Sequence, residues 1–182
     1  MLKHNFISYA FILVYIFERL LELFVNNYNK AFMVNRHFAR IKFPNESLQM
    51  KTMHILWFFG LIVETYQNGK LVEGFWFTFL VAILIIAQAL RWYAIYTLGP
   101  YWSIDIYEMK EHPLITDGPY AFIRHPNYLA VGIEFIFLPL LLGCYKTQIV
   151  GAVANYFMLK RRIALEEQAL SEQASMKRIQ SL

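Results

Sequence analysis

The sequence predicts an all-α protein, a polytopic transmembrane helical bundle of about five spans that ends in a charged C-terminal helix. Three observations carry this prediction. Hydrophobic residues make up 58% of the 182 and charged residues 16%, outside the usual range of soluble domains. Mean hydropathy is +0.37, and apolar runs alternate with short basic segments. One compact run, Gly118-Pro119-Tyr120-Ala121-Phe122-Ile123-Arg124-His125-Pro126-Asn127-Tyr128, is rigid, polar and rich in rings, yet apolar stretches flank it. Backbone of that kind is tolerated beside hydrocarbon only where protein buries it or where it lines a cavity. Residues 1–182 form a single domain by length.

The elements follow in order. Span one covers residues 5–25; no small-residue cleavage signature precedes Glu18 and Arg19, so it reads as a retained span and not a removed signal. Span two, residues 52–66, is short and interrupted by Glu64. Span three, residues 74–98, contains the least ambiguous apolar run, residues 79–87. Residues 129–156 are too long for one helix across ~30 Å of hydrocarbon. Gly143 divides them, with Lys146 and Gln148 just beyond, which predicts a helical hairpin forming spans four and five. From Lys160 the chain becomes an amphipathic helix in which Ile163, Leu165, Ala169 and Leu170 interleave with Arg and Glu.

Charge orients the bundle. The 26–51 loop brings five basic residues, the 99–128 loop two and the tail five, against Lys3, Lys70 and Lys146 on the opposite side. The positive-inside bias places the N-terminus outside and both the Arg124-His125-Pro126 loop and the C-terminus in the cytoplasm. The net charge of +4 is spread between apolar spans and forms no continuous patch, so nucleic acid is not an expected partner. Cys144 stands alone, which excludes an intrachain disulfide framework and any multi-thiolate metal site. The five histidines show no metal-ligand spacing, and no metal is expected.

Polar residues at membrane depth are costly and turn toward a partner or a cavity. Glu18, Arg19 and Glu22 share one end of span one, where an interfacial ion pair is an equal reading. Gln88 and Arg91, one turn apart in span three, suit a substrate cavity, and Glu134 in span four suits a basic partner. In the tail, Arg162 and Glu166 are i,i+4 and share a helix face, so a carboxylate for a ligand ammonium and a guanidinium for an oxyanion can address one site; a juxtamembrane basic stop followed by a solvated helix is the other reading of these residues. No GxGxxG fingerprint, Walker loop, serine elbow or HExxH motif occurs.

Gly118-Pro119-Tyr120, then Arg124-His125-Pro126-Asn127-Tyr128, Glu134, and Arg162 with Glu166-Glu167 resemble the isoprenylcysteine carboxyl methyltransferase family and its phospholipid methyltransferase relatives, over about residues 85–170. Glu18 to Leu23 and Gln88 to Trp92 resemble its compact bacterial branch, some of whose members O-methylate alkylpyrone-type lipids. The resemblance implies S-adenosylmethionine bound without a Rossmann domain. Its cofactor residues fall on His112, Pro113, Leu114, Ile115, Tyr120, His125, Pro126, Asn127, Tyr128 and Glu166, and its substrate-side arginine on Arg162. His112-Pro113 and residues 105–111 depart from the prenylcysteine enzymes, so the acceptor does not carry over.

The expected reaction is displacement of the sulfonium methyl by an oxygen, carboxylate or phenolic or enolic hydroxyl, of a lipid-like acceptor in the membrane. Arg162 orients the attacking oxygen, with positioning and desolvation supplying most of the catalysis. A sterol-reductase-like hydride-transfer enzyme and a non-catalytic membrane scaffold are the alternatives.

Overall fold

Neither proline nor glycine occurs before Pro44, and the first helix runs correspondingly far. The computed structural model describes residues 2–67, 69–109 and 115–180, with side chains placed from residue 6 to residue 172 of these. Five α-helices occur among them: α1 (Leu2–His37), α2 (Pro44–Gln67), α3 (Phe75–Leu98), α4 (Pro126–Leu141) and α5 (Tyr145–Gln180). The all-α expectation holds. Its one departure is a two-residue antiparallel pairing, β1 (Arg40–Ile41) with β2 (Tyr107–Glu108), which places Arg40 opposite Glu108 and Ile41 opposite Tyr107.

Two sequence expectations are corrected. Much of the 26–51 segment read as a loop is helix: α1 continues to His37, where Phe38 at φ 50° ends it in a left-handed conformation, and α2 begins on Pro44. Glu64 does not interrupt α2. Its carboxylate crosses to the next hairpin, accepting hydrogen bonds from the backbone N–H groups of Lys146 (3.0 Å) and Thr147 (2.8 Å) and from the Thr147 hydroxyl (2.7 Å). These N–H groups belong to the first turn of α5, which has no intrahelical partners for them, and the negative charge suits the positive end of the helix dipole.

Gly143 does divide residues 129–156 into a helical hairpin, α4 and α5. Its φ of +69° is open to glycine, and a Cβ there would lie 2.4 Å from the Lys70 carbonyl oxygen. The predicted tail helix is the continuation of α5, because nothing after Gly151 breaks it. At 1.5 Å per residue, α1 and α5 are each about 54 Å long, so both outrun ~30 Å of hydrocarbon. Their overhanging ends clasp the β1–β2 pairing. Met33 packs with Ala39, Tyr107 and Met109, while Lys42 pairs with Glu172.

The main core lies where α1, α2, α3 and α4 meet, around Ile12, Leu61, Leu84, Phe135 and Leu138. Trp57 stacks on Phe135 with centroids 4.2 Å apart, and Gly151 admits it: a Cβ at 151 would sit 2.7 Å from Trp57 Cδ1. Residues 75–101 form the one helical stretch, among the described residues, that is long and apolar enough to cross a membrane, with mean hydropathy 1.8; α4 is apolar but shorter. The outer faces carry exposed large apolar side chains, including Leu13, Phe17 and Phe24 on α1, Ile55 and Phe59 on α2, and Val150 and Phe157 on α5.

Candidate active site

A helix end, a loop and a helix face converge where α4 begins. Gly118 opens a short 3₁₀ turn (Gly118–Ala121) at φ +55°, hard against α3, where a Cβ would lie 2.8 Å from Thr97 Oγ1. That turn and His125 lead into Pro126, which starts α4 with its ring replacing an N–H that has no helical partner. The loop after α3 is held from the other side by α1. Asn29 Nδ2 donates to the carbonyls of Gly99 (3.0 Å) and Trp102 (2.9 Å), and Asn26 Oδ1 accepts from Ser103 Oγ (2.9 Å) and Ile104 N (2.8 Å).

Two cavities meet there. The first, about 190 Å³, lies between the 101–109 loop, the 3₁₀ turn and α5, and Ile115, Tyr120, His125 and Glu166 line it. The second, about 340 Å³, lies among α1 to α4, and Arg19, Glu22, His54, Phe58 and Arg91 line it. Trp102, Ser103, Asn127, Tyr128 and Arg162 belong to both.

Arg162 dominates the shared wall. It is 3% exposed, its Nε donates to Tyr128 Oη at 2.8 Å, and its Nη2 donates to the Ile104 carbonyl. Tyr128 Oη in turn donates to Glu166, so the tyrosine bridges the two residues that helical spacing sets on one face of α5. The third guanidinium nitrogen, Nη1, is buried without a hydrogen-bond partner, and so is Asn127 Oδ1. Leaving such atoms unpaired in the interior is expensive, and both belong to residues that line the two cavities. Rings stand beside them: His125 stacks on Tyr128 at 5.4 Å and 14°, and the Arg162 guanidinium lies 5.7 Å from the Tyr128 ring centroid. Burial, reinforced by the Glu166 charge, pushes the Tyr120 phenol well above its ordinary value. Burial also raises Tyr107 to about 12, with Asp105 adding to the shift.

The expected site residues are thus partly assembled. Tyr120, His125, Asn127, Tyr128, Arg162, Glu166 and Ile115 line the first cavity, and buried Pro126 sits within the same turn. His125 Nε2 lies 3.5 Å from Glu167 Oε1, so its acidic neighbour is Glu167. His112, Pro113 and Leu114 lie outside the described residues. Arg91 lines the second cavity, but its Nη2 (2.6 Å) and Nε both donate to Glu22. Gln88 opens instead on a separate groove between α1 and α3, beside Glu18 and Trp92.

Comparison with known proteins decides the family. Residues 80–172, half of the chain, match the model of the isoprenylcysteine carboxyl methyltransferase family. The chain belongs to the isoprenylcysteine carboxyl methyltransferase family. Its similarity to an uncharacterized protein of Bacillus subtilis, YpbQ, is 36% identity over 121 residues, 66% of this chain and 71% of that protein. An uncharacterized protein of Haemophilus influenzae is 32% identical over 131 residues, 69% of this chain and 73% of its own length. The protein-S-isoprenylcysteine O-methyltransferase of Tribolium castaneum is 30% identical over 117 residues, 59% of this chain but only 40% of that enzyme.

Membership makes this chain a membrane methyltransferase, and the matched segment maps unevenly onto the site. It supplies every lining residue of the first cavity except Met33. The second cavity takes much of its wall from α1 and α2, outside the segment this methyltransferase shares with its family. Those helices also bring in residues that sequence reasoning passed over. Asn26 and Asn29, which hold the 99–104 loop, stand i,i+3 on α1, a spacing that could have flagged them had α1 been read to its full length. Arg19 donates to Glu22 (2.9 Å) and Glu134 (2.7 Å), and Arg91 Nη1 lies 3.5 Å from Glu134, so two acids and two arginines from three helices form one buried cluster.

Proposed function

We propose that this protein transfers the methyl group of S-adenosylmethionine to an oxygen of a lipid-like acceptor, with the donor in the first cavity and the acceptor in the second. The observation that carries the reading is the shared wall, in which Arg162 has one buried guanidinium nitrogen free of partners. The residues fit a zwitterionic donor with a cationic sulfur. Glu166 and Asn127 Oδ1 suit its ammonium, and the faces of Tyr128, Tyr120 and His125 suit a sulfonium by cation–π attraction. Bound there, the donor supplies an already activated methyl group. Arg162 Nη1 holds the acceptor oxygen while Tyr128 and the Ile104 carbonyl fix the guanidinium plane. Trp102 and Phe58 help keep water out of the apolar side.

The bundle is proposed as one unit of five spans in a bacterial cell membrane, with both cavities toward the cytoplasm. Support comes from the basic bias of that side, from the large apolar side chains exposed on α1, α2 and α5, and from the 54 Å helices whose overhangs share one end. The test is thermal unfolding of the protein purified in detergent. S-adenosylhomocysteine should raise the midpoint in a concentration-dependent way and NADPH should not; no shift with the former removes the reading.

A further inference from the structure

Exposed rings mark both ends of α3, Trp76 near its start and Tyr93 and Tyr96 near its end. At 1.5 Å per residue the tyrosines lie about 26 and 30 Å from the tryptophan. That is the thickness of the hydrocarbon layer, and tryptophan and tyrosine rings gather at its two interfaces. Gly118 lodges at the tyrosine end, where a Cβ would lie 3.1 Å from the Tyr93 hydroxyl oxygen and 2.8 Å from Thr97 Oγ1. The 3₁₀ turn that walls the first cavity therefore sits at the level of the cytoplasmic interface.

The length of α4 leads to the same depth. Val72 N donates to the Leu141 carbonyl at 3.0 Å, which fixes the end of α4 beside the start of α3. With 16 residues α4 is about 24 Å long, so it stops about 6 Å short of crossing ~30 Å of hydrocarbon. Residues 118–125 cover the remainder. Within them Phe122 is 91% exposed and the Arg124 side chain 88%. Glu167 Oε1 stands 3.9 Å from Arg124 Nη1, a loose pairing with a half-exposed acid.

We propose that this turn is a membrane anchor in which the Phe122 ring lies at the acyl edge of the cytoplasmic leaflet and Arg124 binds the phosphate of an anionic phospholipid. An exposed ring at this depth meets acyl chains, while the arginine's stem lets its guanidinium reach the phosphates beside it. The planar fork suits a bidentate phosphate, and a headgroup with net negative charge complements the basic side of the bundle. Arg124 and His125 both border the first cavity, so lipid holds one of its walls. The proposal rests on the α4–α5 hairpin crossing the membrane, as proposed above, and does not need methyl transfer.

The experiment places a nitroxide on single added cysteines of the full chain, in vesicles of phosphatidylcholine with a minority of phosphatidylglycerol. Cys144 is fully buried and should take no label, which the unsubstituted protein verifies. Phe122→Cys is compared with two references. Phe157→Cys lies about 18 Å along α5 from Tyr145, deep in the bilayer, and Phe38→Cys lies about 14 Å beyond Asn29, which grips the end of α3. All three rings are largely exposed, so their removal leaves the core intact. Power saturation should show collisions with oxygen dominating at 122 and 157, and collisions with a water-soluble nickel chelate dominating at 38.

The second readout is the preference of the unlabelled protein for spin-labelled phosphatidylglycerol over spin-labelled phosphatidylcholine. Arg124→Gln should lower it by about two- to fivefold. Arg36→Gln, about 10 Å past Asn29 and beyond one Debye length of ~8 Å, should leave it unchanged. Nickel-dominated collisions at 122, with oxygen still dominating at 157, overturn the anchor. A lipid preference unchanged in Arg124→Gln overturns the phosphate contact. Nickel-dominated collisions at 157 remove the five-span reading, and the anchor falls with it.

Discussion

At the scale of single residues, Arg162 divides its guanidinium three ways. Two nitrogens are spent on Tyr128 and the Ile104 carbonyl, which leaves the third in a fixed direction on the wall between the cavities. Arg162→Ala should therefore depress methyl transfer by ~10²–10³-fold, the usual cost of losing a preorganised donor to developing or resident oxygen charge. Affinity for S-adenosylhomocysteine, measured by calorimetry, should barely change, and Arg162→Lys should recover only part of the rate because an ammonium lacks the planar fork. His125→Ala and Glu166→Ala belong to the other cavity and should each weaken that affinity by ~1–3 kcal/mol. The matched control is Arg161, whose mostly exposed side chain turns away to pair with Glu46 at 2.6 Å. Its alanine variant should keep its rate but lose ~1–3 kcal/mol of stability, because the buried Glu46 carboxylate loses that partner. Equal rate loss in Arg161→Ala and Arg162→Ala would show a basic stripe acting on the membrane and remove the catalytic role.

At the scale of elements, the α4–α5 hairpin aligns Tyr128 with Arg162 and Glu166, so its turn controls the site from a distance. Gly143 holds a left-handed conformation with the Lys70 carbonyl packed against it, and Glu64 caps the first turn of α5 from α2. Gly143→Ala should destabilise the protein by at least ~1–2 kcal/mol, because conformational strain and a backbone clash act together. Glu64→Ala should cost ~0.5–2 kcal/mol, the range for a lost helix cap. Denaturant midpoints of the detergent-solubilised variants check both, and an unchanged midpoint in Gly143→Ala would mean the turn readily adopts another path. The hairpin break was legible in the sequence because glycine followed by Lys and Gln inside an apolar stretch has a local cause. The capping role of Glu64 was not, since a carboxylate near a helix end reads the same whether it faces solvent or another helix.

At the scale of the whole molecule, the overhangs of α1 and α5 and the basic residues mark one side. Reporter fusions at residues 2 and 182 should report opposite compartments, outside for the first and cytoplasmic for the second. Both reporters in one compartment would mean an even number of crossings, with α2 or the α4–α5 hairpin failing to span. The buried cluster of Arg19, Glu22, Arg91 and Glu134 fits this picture: two positive and two negative groups from three helices neutralise each other where water cannot.

The sequence by itself determined the helical class, the hairpin at Gly143, the rigid turn before α4 and the shared face of Arg162 and Glu166. Each of these is local, set by composition, by backbone freedom at one glycine or by the 3.6-residue repeat. Only the tertiary structure decided what those residues meet. It set Tyr128 between Arg162 and Glu166, and used Asn26 and Asn29 to hold the loop that presents the Ile104 carbonyl. It also separated Gln88 from Arg91, neighbours on one helix that open on different sides of α1. A cavity is made by the crossing of helices remote in sequence, and no spacing within a single helix encodes which neighbour fills the space beside it.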